Sequence, residues 1–313
     1  MPLIANRTSL ADVLCGRLLL LLFLLPLPAL AWNSAGHRLI ACIAWDNLDQ
    51  HTRTEVSQLL REHPDYGRWA KRAGDDVPER VAFIEASTWP DDIRKDSRFY
   101  NAGVDDPTST LPGFPDMERR RNWHYVNLPL DESQGKEPIS GLLDKQLEAL
   151  AKTLGSPGTP KSERAYALPW IIHLTGDAHQ PLHTSTRLDA DGKWDKLGNG
   201  LTVVNPFNSR KGSSTLHAYW DDLPGPPWLR GERLDSACRA LIASHPHPAH
   251  STSAQWIKES WLIARQSAYP PGNDNVATIS AEFDETAREI ANRRVAEAGY
   301  RLADLLRETL GRK

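Results

Sequence analysis

The chain has 313 residues, a quarter of them charged, with 37 Lys and Arg against 40 Asp and Glu for a net charge of −3. With no basic stripe along any element, this composition argues against a protein that grips duplex phosphates through its own cations. If the substrate is a phosphate polymer, metal ions must provide the positive charge.

From the N-terminus, Arg7 and Arg17 precede a Leu-rich run broken by Pro26 and Pro28, and Ala29-Leu30-Ala31 forms a small-x-small cleavage site. The apolar run falls short of the about 20 residues a membrane span requires. Residues 1–31 are therefore expected to be a signal peptide cut after Ala31. The alternative is an uncleaved anchor. The mature domain, 32–313, is expected to be secreted or periplasmic, monomeric, without membrane anchor and without a stable protein partner. Of three cysteines, Cys15 leaves with the leader. Cys42 and Cys238 remain, an even pair that in an exported chain suggests one disulfide between the first helix and a late one, with two buried thiols as the alternative.

Apolar spacing predicts helices over 37–48 and 52–63, the second stopped by Pro64, and a third over 68–85 interrupted near Gly74. After Asp91, Gly103, Pro107, Pro112, Gly113 and Pro115 mark a long irregular stretch. Leu142, Leu143, Leu147, Leu150 and Leu154 set a helix over 141–154. An apolar helix over 163–179 follows and ends before Pro181. Residues 198–207 are β-like, and two further helices are expected over 251–266 and 280–310. The fold class is all-α: a single mainly helical domain with one small β element.

Residues four apart share a helix face, so His173 and Asp177 can reach one ion together, as can His217 and Asp221. His183, just past Pro181, can turn back towards the same pocket. Imidazole and carboxylate are the ligands zinc takes at catalytic centres. The α-amine and carbonyl of a trimmed Trp32 can also ligate, with His37 nearby, and Asp91 and His124 are further candidates in the irregular middle. Isolated, each is an ordinary residue: a lone His on an apolar helix is more often a core group. His51, His63, His245, His247 and His250 are expected to face solvent, and His179 to point to a different face from Asp177 and act structurally.

Taken in order, Trp-Asn-Ser-Ala-Gly-His (32–37), Trp-x-Asp-x-x-Arg (89–94), Trp-His-Tyr (123–125), Gly-Asp-Ala-His-Gln-Pro-Leu-His (176–183), Gly-Asn (198–199) and Leu-His-Ala-Tyr-Trp-Asp (216–221) resemble the S1/P1 nuclease family across nearly the whole mature chain. The resemblance implies a mainly helical fold and a trinuclear zinc cleft of the kind shared with zinc phospholipases C. It implies that Trp32, His37 and Asp177 hold one zinc; Asp91, His124, His173 and Asp177 a second; and His183, His217 and Asp221 the third. Asp177 would bridge two ions. Leu197 stands where many members have Gly, and Pro90 where Ala is common, but neither change removes a ligand.

Clustered zinc acidifies a shared water. Asp91 is expected to orient and deprotonate that water, and Arg94 to neutralise phosphoryl oxygens, although Arg94 could simply pair with Asp91 or Asp92. Asn199 is expected at the phosphate or a base, and Tyr125 either stacks a base or packs in the core. The expected activity is cleavage of 3′-O–P bonds in single-stranded DNA and RNA, and of 3′-mononucleotides, leaving 5′-phosphates. Zinc-dependent phospholipase C is the alternative. Two features weigh against it: His37 lies close to Trp32, and Asp221 ends the ligand set where that family resemblance calls for Glu. A non-catalytic zinc-binding envelope protein is a third reading, disfavoured by the presence of Asp91 and Arg94.

Overall fold

Side-chain caps open most of the long helices. In the computed structural model, Asn33 Oδ1 accepts from Ala35 N at 2.9 Å to start α1 (Ser34–Asn47). Asp49 accepts from Thr52 N at 2.9 Å to start α2 (Gln50–Glu62), each satisfying an amide that the first turn leaves without a partner. The structure describes residues 32–135, 137, 141–208, 211–272 and 275–311, so the expected signal peptide lies outside the described residues. The stretch expected as one interrupted helix is two, α3 (Tyr66–Ala70) and α4 (Pro78–Ala86), the latter with Pro in its first turn. A four-residue helix α5 (Trp89–Asp92) then begins the irregular region.

Helix α6 (Leu143–Gly155) packs against α7 (Lys161–Asp177), which is buried from Ala165 to its end. Beyond α8 (Leu216–Asp222) come α9 (Gly231–Ser244), α10 (Ser253–Ile263), prolonged by a π-turn over Ala264–Ala268, and the 30-residue α11 (Ala281–Leu310). A Thr252/Gln255 capping box opens α10 and Ser280 caps α11. Helix α11 lies along α1, and a Cβ at Gly299 would sit 2.5 Å from Ile43 Cβ, so the missing side chain is what lets the two helices approach. Trp32, Trp89, Trp170 and Trp220 are among the largest fully buried side chains of one contiguous core.

The small β content exceeds expectation. Strands β1 (Leu128–Pro129) and β2 (Ser185–Thr186) pair in parallel. Strand β3 (Thr202–Val204) lies between antiparallel β4 (Ser213–Thr215) and parallel β5 (Val276–Thr278). At two or three residues each, these strands are too short to show a period of two. With Val126 N donating to His183 O at 2.9 Å, the β1–β2 pair binds the chain leaving His124 to the chain leaving His183.

Of the two expected alternatives for the cysteines, the structure has the second. Cys42 on α1 and Cys238 on α9 are both buried free thiols. Arg80 Nη2 lies 3.3 Å from Cys42 Sγ and 2.6 Å from Asp235 Oδ1, and Cys238 Sγ lies 3.8 Å from Asp46 Oδ2, so both sulfurs belong to a charged network. The sulfurs and an Asp46 oxygen lie within 4.8 Å of one another, but the guanidinium beside them opposes a bound cation.

Candidate metal centre

Four helices and two tight turns direct their ligand-type side chains into one buried space. Helix α1 brings His37; α5 brings Asp91; α7 brings His173 and Asp177; α8 brings His217 and Asp221. His124 directly follows a 3₁₀ turn over Arg121–Trp123, and His183 ends another over Pro181–His183. All the His residues in this set, and Asp177 and Asp221, are essentially shut off from solvent.

Asp177 is at the middle. Its Oδ1 lies 3.5 Å from His37 Nε2 and 3.8 Å from His183 Nδ1, whereas its Oδ2 lies 3.1 Å from His124 Nδ1 and 3.3 Å from His173 Nε2. Asp91 Oδ1 stands 3.9 Å from both His124 Nδ1 and His173 Nε2. At the other end, His217 Nε2 is 3.5 Å from Asp221 Oδ2, and the His183 and His217 rings are 4.9 Å apart. Three groups have their donor atoms within 4.8 Å of one another: His37, His173 and Asp177; Asp91, His124 and His173; His183, His217 and Asp221.

Backbone carbonyls fix three of the rings. His173 Nδ1 donates to Ser87 O at 2.8 Å, His183 Nδ1 to His124 O at 2.6 Å and His217 Nδ1 to Leu197 O at 2.7 Å. That assignment turns each Nε2 lone pair to the centre, as a metal requires. His37 Nε2, Asp91 Oδ1, Asp177 Oδ1, His183 Nε2 and Asp221 Oδ2 are buried without a hydrogen-bond partner. Orphaned buried acceptors are costly, and a cluster of them with imidazole and carboxylate chemistry fits a set of divalent cations.

The electrostatics agree. Burial, then the charges of His173 and His183, holds His37 well below the usual imidazole range; burial and Arg94 do the same to His124, and burial and His217 to His183. These rings remain neutral, the form that ligates. Burial lifts Asp177 to about 6 and Asp221 well above the carboxylate range. His173 is raised because Asp177 and Asp91 outweigh its burial. Buried carboxylates held this high are waiting for positive charge.

The remaining expected residues are placed as follows. Trp32 is wholly buried, and Asn33 N donates to Asp221 O at 3.0 Å, so this pair of residues lies against the third group. Arg94 Nη1 lies 3.3 Å from Asp91 Oδ1. Tyr125 is half-buried with Gly141 packed on it: a Cβ at Gly141 would sit 2.5 Å from the ring. Asn199 folds its amide onto Lys196 O at 2.8 Å. His179 turns away, its ring between Thr175 O at 2.7 Å and Arg301 Nη1 at 3.0 Å.

His63 corrects one expectation. It is not solvent-facing but buried among Trp69, Trp89 and Phe114, with Nδ1 accepting from Asp65 N at 3.1 Å. The polar surroundings in the sequence concealed aromatic partners that are distant along the chain. Gln180 was overlooked: its Nε2 donates to Asp221 Oδ1 at 2.8 Å and so orients a candidate ligand. Its place between His179 and Pro181, inside the densest motif, was the available signal.

Comparison with known proteins agrees with this geometry. The chain is 24% identical to Endonuclease 5 of Arabidopsis thaliana over 91% of its own length and 92% of that protein's. It is 25% identical to Endonuclease 1 of the same plant, covering 88% and 86%, and 23% identical to Nuclease S1 of Aspergillus oryzae (strain ATCC 42149 / RIB 40), covering 87% and 89%. The S1/P1 Nuclease family model matches residues 32–311, which takes in the whole ligand cluster. With match and cluster spanning the same stretch, the chain belongs to the S1/P1 nuclease family, whose members are hydrolases of nucleic acid.

Proposed function

We propose that this chain is a zinc-dependent nuclease that cuts 3′-O–P bonds of single-stranded DNA and RNA, and acts on 3′-mononucleotides, to leave 5′-phosphates. The observation that carries the reading is the placement of Asp177, whose Oδ1 faces His37 Nε2 while its Oδ2 faces His124 Nδ1 and His173 Nε2, which suits a carboxylate bridging two ions. Trp32 and His37 with Asp177, then Asp91, His124 and His173 with Asp177, then His183, His217 and Asp221 would hold three zinc ions. When bound, zinc would supply Lewis acidity to water and charge to the phosphoryl oxygens.

The chain's own groups do the rest. Asp91, 12% exposed at the edge of the cluster, is positioned to take the proton of an attacking water. As the new P–O bond forms, the bond to the 3′-oxygen breaks, and that oxygen takes a proton from solvent water and leaves as a hydroxyl. Arg94, whose Nη1 forms an ion pair with Asp91 Oδ1 at 3.3 Å, steadies that carboxylate and offers its remaining donors to the phosphate. Tyr125 offers a base a partly open ring. With no basic stripe in the sequence, duplex DNA gains little, which favours unstacked strands.

Export in a trimmed, monomeric form completes the reading, since a buried Trp32 can ligate through its amine only when nothing precedes it. Among the described residues no helix is long and apolar enough to cross a membrane. The test is incubation of the zinc-loaded protein with single-stranded DNA, duplex DNA and phosphatidylcholine in parallel. Chelator-sensitive release of 5′-phosphorylated ends from single strands supports the reading; release of phosphocholine alone transfers it to the phospholipase alternative.

A further inference from the structure

A carboxylate outside the ligand cluster ties together both supports of the third group. Asp195 is 2% exposed, yet it lies in a loop with no ion pair among the described residues. Its Oδ1 accepts from Thr186 Oγ1 at 3.1 Å and from Arg187 N at 3.2 Å, and its Oδ2 accepts from Tyr269 OH at 2.8 Å. Thr186 belongs to β2, three residues past His183. Directly after Asp195, Lys196, Leu197 and Gly198 take positive φ values of 53°, 63° and 79°. Two non-glycine residues in the left-handed region cost about 1–3 kcal/mol each and persist only where the surroundings dictate them.

That turn has a purpose. It aims Leu197 O at His217 Nδ1 at 2.7 Å and Gly198 O at His217 N at 3.3 Å. The same ring of contacts closes from the other side: Trp220 Nε1, between His217 and Asp221 on α8, donates to Ala268 O at 2.9 Å, and Tyr269 is the next residue. Asp195 therefore connects the strand leaving His183, the strained turn behind His217 and the segment bracing α8.

We propose that Asp195 is a positioning residue for the third metal site, setting the affinity of His183, His217 and Asp221 for their ion through the Lys196–Gly198 turn and the Tyr269 hydroxyl. This rests on the zinc reading above. Supporting groups behind metal ligands commonly change affinity 10–100-fold.

The test measures zinc per chain at buffered free zinc for the trimmed wild type, for Asp195→Asn and for Tyr269→Phe. The amide has one acceptor oxygen where the carboxylate has two; Tyr269→Phe deletes a single hydroxyl and tests the same link with less risk to folding. At a free zinc that gives three ions in the wild type, both variants should retain two. The third should return at about 10–100-fold higher free zinc, with cleavage returning alongside it. Three ions at wild-type affinity in both variants overturns the proposal, as does joint loss of all three ions with a lowered melting temperature. A wild type that never holds three ions overturns the zinc reading itself, and this inference with it.

Discussion

Gly176 and His37 meet so closely that a Cβ on Gly176 would sit 2.8 Å from His37 Nδ1. Gly176 precedes Asp177, the proposed bridge, and His37 faces Asp177 Oδ1 from α1, so this approach sets the distance between the two helices that carry the first group. Within a helix, Gly→Ala ordinarily gains about 1 kcal/mol. Here Gly176→Ala should do the reverse, lowering the melting temperature and reducing bound zinc, because the methyl must displace the ring. A thermal melt with zinc analysis checks it; a more stable variant with full zinc would contradict the contact.

Asp177→Asn should reduce cleavage more than substitution of any other proposed ligand. Its Oδ1 faces His37 Nε2 and its Oδ2 faces His124 Nδ1 and His173 Nε2, and an amide offers one oxygen in place of two. Steady-state rates for single-ligand variants at fixed free zinc give the ranking. Near-normal activity in Asp177→Asn would exclude a bridging role.

One extra residue before Trp32 should cost one zinc and much of the activity. Trp32 is wholly buried beside the cluster, and an added peptide replaces its amine with an amide of no ligating strength. Elemental analysis of trimmed and extended chains checks this; equal zinc and equal rate would mean that the amine is not a ligand.

Acid should destabilise the protein through His63. Burial pushes this imidazole to about 3, against 6.5 when exposed. The native state therefore binds fewer protons than the unfolded chain between those values. Its contribution is fully present above pH 6.5 and is lost as pH falls towards 3, amounting to about 2 kcal/mol between pH 7 and pH 5. His63→Asn keeps an acceptor near Asp65 N without a titrating ring, so urea unfolding should show a shallower loss over that range. An unchanged pH slope would contradict it.

The helical fold was legible because long apolar periodicities survive tertiary context: the final helix, expected over 280–310, is Ala281–Leu310. The pairing of candidate ligands was legible because His-x3-Asp on a helix already fixes a shared face, as with His173–Asp177 and His217–Asp221. What stayed hidden depends on contacts distant in sequence. His63 looks exposed until Trp89 and Phe114 fold over it. The charged neighbours of the two buried thiols, Arg80 beside Cys42 and Asp46 beside Cys238, are set only by the fold. The carbonyls of Ser87, His124 and Leu197 that aim three imidazoles carry no side-chain signature at all.

The central claim is that cleavage depends on zinc in this cluster. The direct measurement strips the trimmed protein of metal, returns zinc in steps and follows bound zinc, cleavage of single-stranded DNA and the chemistry of the new ends together. Cleavage should be absent without metal, return as the sites fill to three per chain and leave 5′-phosphates. Full cleavage by zinc-free protein, or three bound ions with no cleavage of any single strand, would contradict the account.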